Sequence, residues 1–138
     1  MSNTDQSGRV IKFRAFQNGK MYYLESEEKG YNHYLQIGSG GFWLYDAEGQ
    51  RKAATEDGGI LMQFTGLKDK AGNEVYEDDR IRIYWRGEDD FSDETISYDD
   101  KYGYFKYGNN PVCELFDPET PFEVIGNIYE LENTLNHV

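Results

Sequence analysis

Apolar and polar residues alternate with a period of two through most of the chain, and that period belongs to strands. Ile60, Met62 and Phe64 alternate with Leu61, Gln63 and Thr65, Gly66 ends the run, and residues 68–73 read Lys-Asp-Lys-Ala-Gly-Asn. Gly and Asn take positive φ cheaply, so this segment is a turn. Alternation resumes at Ile81, Ile83 and Trp85, giving a β-hairpin whose second arm carries the acidic kink Glu77-Asp78-Asp79. Nearer the start, Ile11, Phe13 and Ala15 are expected on one strand face, opposite Lys12 and Arg14. Asn18-Gly19 separates that run from residues 21–24, the strongest short-range hairpin signal.

The rest of the chain follows the same rhythm. Residues 26–30 read as a loop, and Tyr31, His33, Leu35 and Ile37 as a strand face. Gly38-Ser39-Gly40-Gly41 invites comparison with a phosphate cradle, which needs a helix N-terminus after the glycines. A further strand, residues 42–45, follows instead, with no Gly-Lys-Ser/Thr, so the glycines make a turn. Residues 46–49 form another turn, and residues 50–59 read as a polar, mobile loop. Arg80, Arg82 and Arg86 are expected on one side of a strand, with Ile81, Ile83 and Trp85 on the other. An acidic loop over residues 87–94, short strands at 95–98 and 102–107, and a turn at 108–111 come next. A last strand spans residues 121–129, where Gly126 signals a bulge. Only residues 129–137 have the pattern of a helix, and a short one.

Strands every eight to twelve residues joined by tight turns predict an all-β fold, a small, partly closed antiparallel barrel, SH3-like or sandwich-like, with long loops. The 138 residues suit one domain over 9–138 after a disordered tail at 1–8. The composition agrees, with 12 Tyr, 15 Gly and only 3 Pro, the profile of a sheet-rich chain with many turns.

Charge sharpens the picture. The net charge is −12, and residues 71–138 carry all of that excess, with 5 basic against 17 acidic side chains. Such a surface repels duplex nucleic acid, whose binding is driven by phosphate neutralisation. It suits solubility or an acidic face for a basic partner. No apolar run approaches the roughly 20 residues of a membrane-spanning helix. The start of the chain lacks the basic and apolar regions of a signal peptide, and a cytoplasmic setting is expected. Cys113 is the one cysteine, which excludes an internal disulfide and any multi-cysteine metal site.

Three segments, residues 11–16 with 20–23, residues 61–77, and Phe122-Glu-Val-Ile-Gly-Asn-Ile-Tyr129, resemble the start, middle and end signatures of the YopX family of phage and prophage proteins. The resemblance spans about residues 9–130. It implies a β-rich, partly closed barrel and a phage or prophage origin in a bacterial host. It brings no catalytic residues, because the family has no established molecular function. One departure stands out, since the family's Tyr-Glu-Gly-Asp is Tyr76-Glu-Asp-Asp79 here. Asp78 is among the better substitutes for a glycine at positive φ.

Candidate chemistry is sparse. Glu77-Asp-Asp79, Glu88-Asp-Asp90 and Asp99-Asp100 fail the calcium-loop pattern and read as solvated faces. His33 reads as a packed or edge residue, and His137 lies near the chain end. Cys113 is expected buried as a small hydrophobe. No nucleophile elbow or His-Glu-x-x-His motif is present, so neither enzymatic activity, a cofactor nor a metal is expected. The remaining candidates are Arg80, Arg82, Tyr84 and Trp85, with Glu88, Asp89 and Asp90 beside them. Basic and aromatic side chains interleaved on a barrel are what single-stranded nucleic-acid binders use, whereas paired to nearby carboxylates the arginines are structural. Tyr102, Tyr104 and Tyr107 are either packing or a platform. The sequence thus favours binding to a host or phage protein over a single-stranded nucleic-acid module, with a metal-dependent hydrolase third.

Overall fold

Asn18 and Gly19 both sit at positive φ, 51° and 80°, the two-residue turn whose twist matches flanking strands. It joins β1 (Phe13–Gln17) to β2 (Lys20–Tyr23). The computed structural model describes residues 10–24, 33–117 and 119–130. The expected tail at 1–8, loop at 26–30, Tyr31 and His137 lie outside the described residues.

The described residues form twelve strands, these two included, in three antiparallel sheets. β1 pairs on its other side with β6 (Ile60–Lys68), which turns into β7 (Glu74–Tyr76), giving the order β2-β1-β6-β7. A three-stranded sheet contains β3 (Tyr34–Gly38), β4 (Gly41–Tyr45) and β5 (Arg51–Ala54) in sequence order. The third contains β8 (Asp79–Tyr84), β9 (Phe91–Asp99), β10 (Tyr104–Tyr107), β11 (Asn110–Pro111) and β12 (Phe122–Asn127), in the order β11-β10-β9-β8-β12. The fold is all-β and partly closed, as the pattern predicts. Residues 128–130 are helical, and the rest of the helix expected over 129–137 lies outside the described residues. Asn127 caps the helical residues, its Oδ1 accepting the N–H groups of Tyr129 and Glu130 at 3.0 Å each.

Closure depends on the turn after β6. Asp69 Oδ1 accepts from Ala71 N and Asn73 N, and Oδ2 accepts from Asn73 Nδ2 and, across the gap, from Val124 N at 3.0 Å. The hairpin tip is thereby stitched to β12, which itself pairs with β8. Burial works against this carboxylate, but the N–H donors from Val124, Asn73 and Ala71 hold it below the usual range. At Gly126 (φ 148°) the register of β12 on β8 shifts, which is the expected bulge.

Two clusters make the core. Leu67, Val75, Ile81, Ile83, Ile96, Tyr107, Val112, Leu115 and Phe122 pack inside the curled sheet, and Ala15, Phe42, Leu44 and Ala53 pack between β1 and the three-stranded sheet. The second cluster corrects the reading of residues 50–59 as a polar, mobile loop. Arg51–Ala54 is a strand, Ala53 and Ala54 are fully buried, and Gln17 Oε1 accepts from Ala54 N at 2.9 Å. Small alanines let β5 approach β1 closely, and packing overrides their weak strand preference. Cys113 is exposed rather than buried. It sits in a 3-10 turn, Val112–Phe116, whose three-residue period turns Val112 and Leu115 inward instead.

Lys12 and Arg14 were expected on the polar face of β1, yet Arg14 is 2% exposed. Both faces of this central strand are covered, Ala15 by β4 and β5 and Arg14 by the β7–β8 turn. Arg14 Nη2 lies 2.9 Å from Asp79 Oδ1 and donates to the Glu77 carbonyl at 2.9 Å, while its guanidinium stacks 4.8 Å from the Tyr76 ring. Asp79 Oδ2 accepts from Tyr76 N at 2.8 Å. Asp78, at φ 69°, occupies the left-handed position foreseen for it, and Tyr129 Oη donates to its carboxylate at 2.9 Å.

Arg14→Met should cost about 3–5 kcal/mol in urea unfolding, because it strands a buried carboxylate. Adding Asp79→Leu should recover only part of that, since Tyr76 N–H then loses its acceptor. Asp69→Asn tests the stitch through pH. A depressed carboxylate stabilises above its unfolded pKa, and the contribution is lost as pH falls through the folded value. The gap between wild type and Asp69→Asn, about 1–3 kcal/mol at pH 7, should therefore close on acidification below the ordinary carboxylate range.

Candidate functional site

The alternation of β8 divides its side chains between two environments. Ile81 and Ile83 are fully buried, and Arg80, Arg82 and Tyr84 point to the other face, half-buried. Trp85 was expected beside the isoleucines. β8 ends at Tyr84, the chain turns away, and Trp85 is 47% exposed. Its backbone N–H donates to the Asp90 carbonyl at 2.8 Å, closing the loop, and its indole Nε1 donates to Ser92 Oγ at 2.9 Å, fixing the ring. The acidic loop is shorter than predicted, because β9 begins at Phe91 and takes Asp93 and Glu94 into the sheet.

That pairing decides the arginine row. Arg82 faces Asp93 across β9 and donates to it through Nε and Nη2 at 2.8 and 3.0 Å, and its guanidinium lies 4.2 Å from the Phe91 ring centre. The pair raises the Arg82 pKa further and holds Asp93 below the usual carboxylate range. Arg80 donates to Thr95 Oγ1 at 3.1 Å. Arg86 is exposed in the turn after β8. The arginines with partners thus find them on the neighbouring strand rather than in the acidic loop.

Beyond Arg82 lies a cleft of about 580 Å³ walled by Lys70, Arg82, Tyr84, Trp85, Gly87, Glu88, Phe91, Glu119, Pro121 and Glu123. Four of the residues singled out from sequence, Arg82, Tyr84, Trp85 and Glu88, meet here. Arg80 lies outside its wall, and Asp89 and Asp90 stand exposed on the adjoining loop. Tyr84 Oη donates to Glu123, and this bond, more than burial, raises the Tyr84 pKa. Lys70 Nζ lies 4.9 Å from the Tyr84 ring centre, and Phe91 sits 6.2 Å from the same ring. Sequence reasoning missed Lys70, Phe91, Glu119, Pro121 and Glu123. Glu123 was reachable only by pairing β12 with β8, which sets it opposite Arg82.

The other candidates have structural settings. Tyr107 is buried, donates to Glu114 Oε2 at 2.9 Å, and is pushed up to about 12 by burial and that carboxylate. Tyr104 is half-buried, and Tyr102 is 70% exposed. His33 packs edge-on against Tyr22 at 6.4 Å. Burial first, and then the nearby charges of Asp78 and Asp100, raise the Glu77 carboxyl, so two of the acidic runs lie near each other. Asp79 is spent on Arg14, and Asp99 accepts from Lys101 N and Tyr102 N and pairs with Lys106 at 3.3 Å. Among the described residues no three His, Cys, Asp or Glu side chains cluster to hold a metal ion, and no helix is long and apolar enough to cross a membrane.

Comparisons with known proteins bear on this arrangement. The family model described as YopX protein matches residues 12–136. The fold is similar to the crystal structure of protein yopX from Bacillus subtilis, with TM-score 0.60 and 16% identity over 86% of this chain and 93% of that one. It is also similar to protein EF1440 from Enterococcus faecalis, with TM-score 0.53 and 24% identity over 93% of this chain and 99% of that one. No curated protein matches the sequence. In the variant Glu123→Gln, the Tyr84 ring resonances should titrate at lower pH than in wild type, because the carboxylate that opposes phenol ionisation is gone.

Proposed function

The chain belongs to the YopX family, and from that premise we propose that it is a phage or prophage accessory protein that works by binding another protein, without catalysis, in the bacterial cytoplasm. The observation that supports this reading is the face at the end of β8, where exposed Trp85 and Phe91 stand beside Glu88, Asp89 and Asp90. Large aromatics left in water next to a charged rim have the anatomy of an interface centre. Acidic side chains around it add steering toward a basic partner.

A second reading, a module for single-stranded nucleic acid, draws on the same two exposed rings and on Lys70. It is weakened by Arg82, whose charge is matched by Asp93, and by three glutamates in the cleft wall. A metal-dependent hydrolase would need carboxylates close enough to ligate one ion, and among the described residues no three His, Cys, Asp or Glu side chains are so placed, the three glutamates of the cleft included.

The test is affinity capture from bacterial lysate with and without nuclease. A stoichiometric protein should survive nuclease and be lost when Glu88, Asp89 and Asp90 are all changed to Lys, with the loss greatest at low salt. Unchanged capture by that variant removes this face from the interface. Bound material that disappears with nuclease, and retention on an oligonucleotide reduced by both Trp85→Ala and Arg82→Ala, would establish the nucleic-acid reading instead.

A further inference from the structure

We propose that the cleft beside Trp85 receives an arginine or lysine side chain from a basic segment of the partner protein. This rests on the protein-binding reading and names what the site recognises. Three rings, Tyr84, Trp85 and Phe91, contribute to the wall. Two of them already carry a cation of the chain itself, Lys70 at 4.9 Å from Tyr84 and the Arg82 guanidinium at 4.2 Å from Phe91. Trp85 has the strongest ring for such a contact. Among the described residues no lysine or arginine stacks on it, and it is 47% exposed.

Its orientation needs no partner. The indole N–H is held by Ser92 and the backbone by Asp90, so little ordering is required on binding. The charge balance selects the sign of the occupant. With Arg82 neutralised by Asp93, Lys70 is the remaining cation in the wall, against Glu88, Glu119 and Glu123. An anionic segment would meet that excess as repulsion. A guanidinium or ammonium would gain the ring face and the carboxylates together.

The experiment follows the Trp85 indole N–H by NMR in the full chain during titration with a short glycine-flanked peptide carrying two arginines. The same peptide with citrulline, which keeps the shape and loses the charge, and an oligothymidylate of similar length serve as comparators. The arginine peptide should shift the Trp85 resonance saturably, and citrulline should weaken binding about tenfold or more. Trp85→Leu, followed through backbone amides, and the double change Glu88→Gln, Glu119→Gln should weaken it to a similar extent while unshifted distant amides show the fold intact. Equal binding of the citrulline peptide, arginine binding indifferent to Trp85→Leu, or a saturable response to oligothymidylate alone would overturn the proposal. So would a Trp85 shift that depends on protein concentration alone, which would make a second copy the occupant. Should the peptide fail while Glu88, Asp89 and Asp90 remain essential for protein capture, the binding reading stands and this one falls. Peptide binding at Trp85 with capture indifferent to those three carboxylates gives the converse.

Discussion

The buried ion pair between Arg14 and Asp79 is the constraint on which the other elements depend. Its side chains are 3% and 4% exposed, and it joins the centre of the first sheet to the first residue of β8. Removing two charges from water is costly, and their attraction repays the cost only when further hydrogen bonds complete the geometry. Those bonds are present. Arg14 also reaches the Glu77 carbonyl and Met62 Sδ, and Asp79 reaches the Tyr76 N–H. Burial still pushes the Asp79 carboxyl upward against the pull of Arg14. Such a pair contributes position more than net stability, because a slip of β8 by one residue would leave both charges unmatched.

Position is what the candidate site requires. Once Asp79 is placed, the two-residue period of β8 sends Ile81 and Ile83 into the core and Arg82 and Tyr84 to the opposite face. Antiparallel pairing then sets Asp93 on one side of Arg82 and Glu123 on the other. The cleft is thus a consequence of register. Its carboxylates come from the loop after β8, from β12 and from the segment before β12, and the stitch from Asp69 to Val124 holds β12 in reach of the hairpin tip.

Polar side chains do much of the work that a larger core would do elsewhere. Asp46, Asp69 and Asp99 each accept backbone N–H groups within their own turns, and this bonding outweighs the opposing effect of burial and holds all three carboxylates below their usual range. This explains part of the acidic composition without any partner. Glu88, Asp89 and Asp90 have no such turn to hold and stand exposed.

What the sequence by itself determined was local. Asn18-Gly19, the 68–73 turn and the bulge at Gly126 follow from backbone chemistry that depends on a few neighbours, and period-two alternation fixed the all-β class, whereas the left-handed Asp78 came from the family resemblance. Tertiary structure decided what depends on covering. Arg14 and Ala15 alternate as a polar and an apolar face should, yet both are buried, because β1 is packed on both sides. Ala53 and Ala54 look like loop residues until β1 lies against them, and Trp85 keeps the parity of Ile81 and Ile83 but loses the sheet that would bury it. For the site, the chain order revealed Arg82, Tyr84, Trp85 and Glu88 because they are neighbours in sequence. Lys70, Glu119 and Glu123 joined them only when pairing and the Asp69 stitch brought distant segments together, and alternation carries no information about which strand lies beside which.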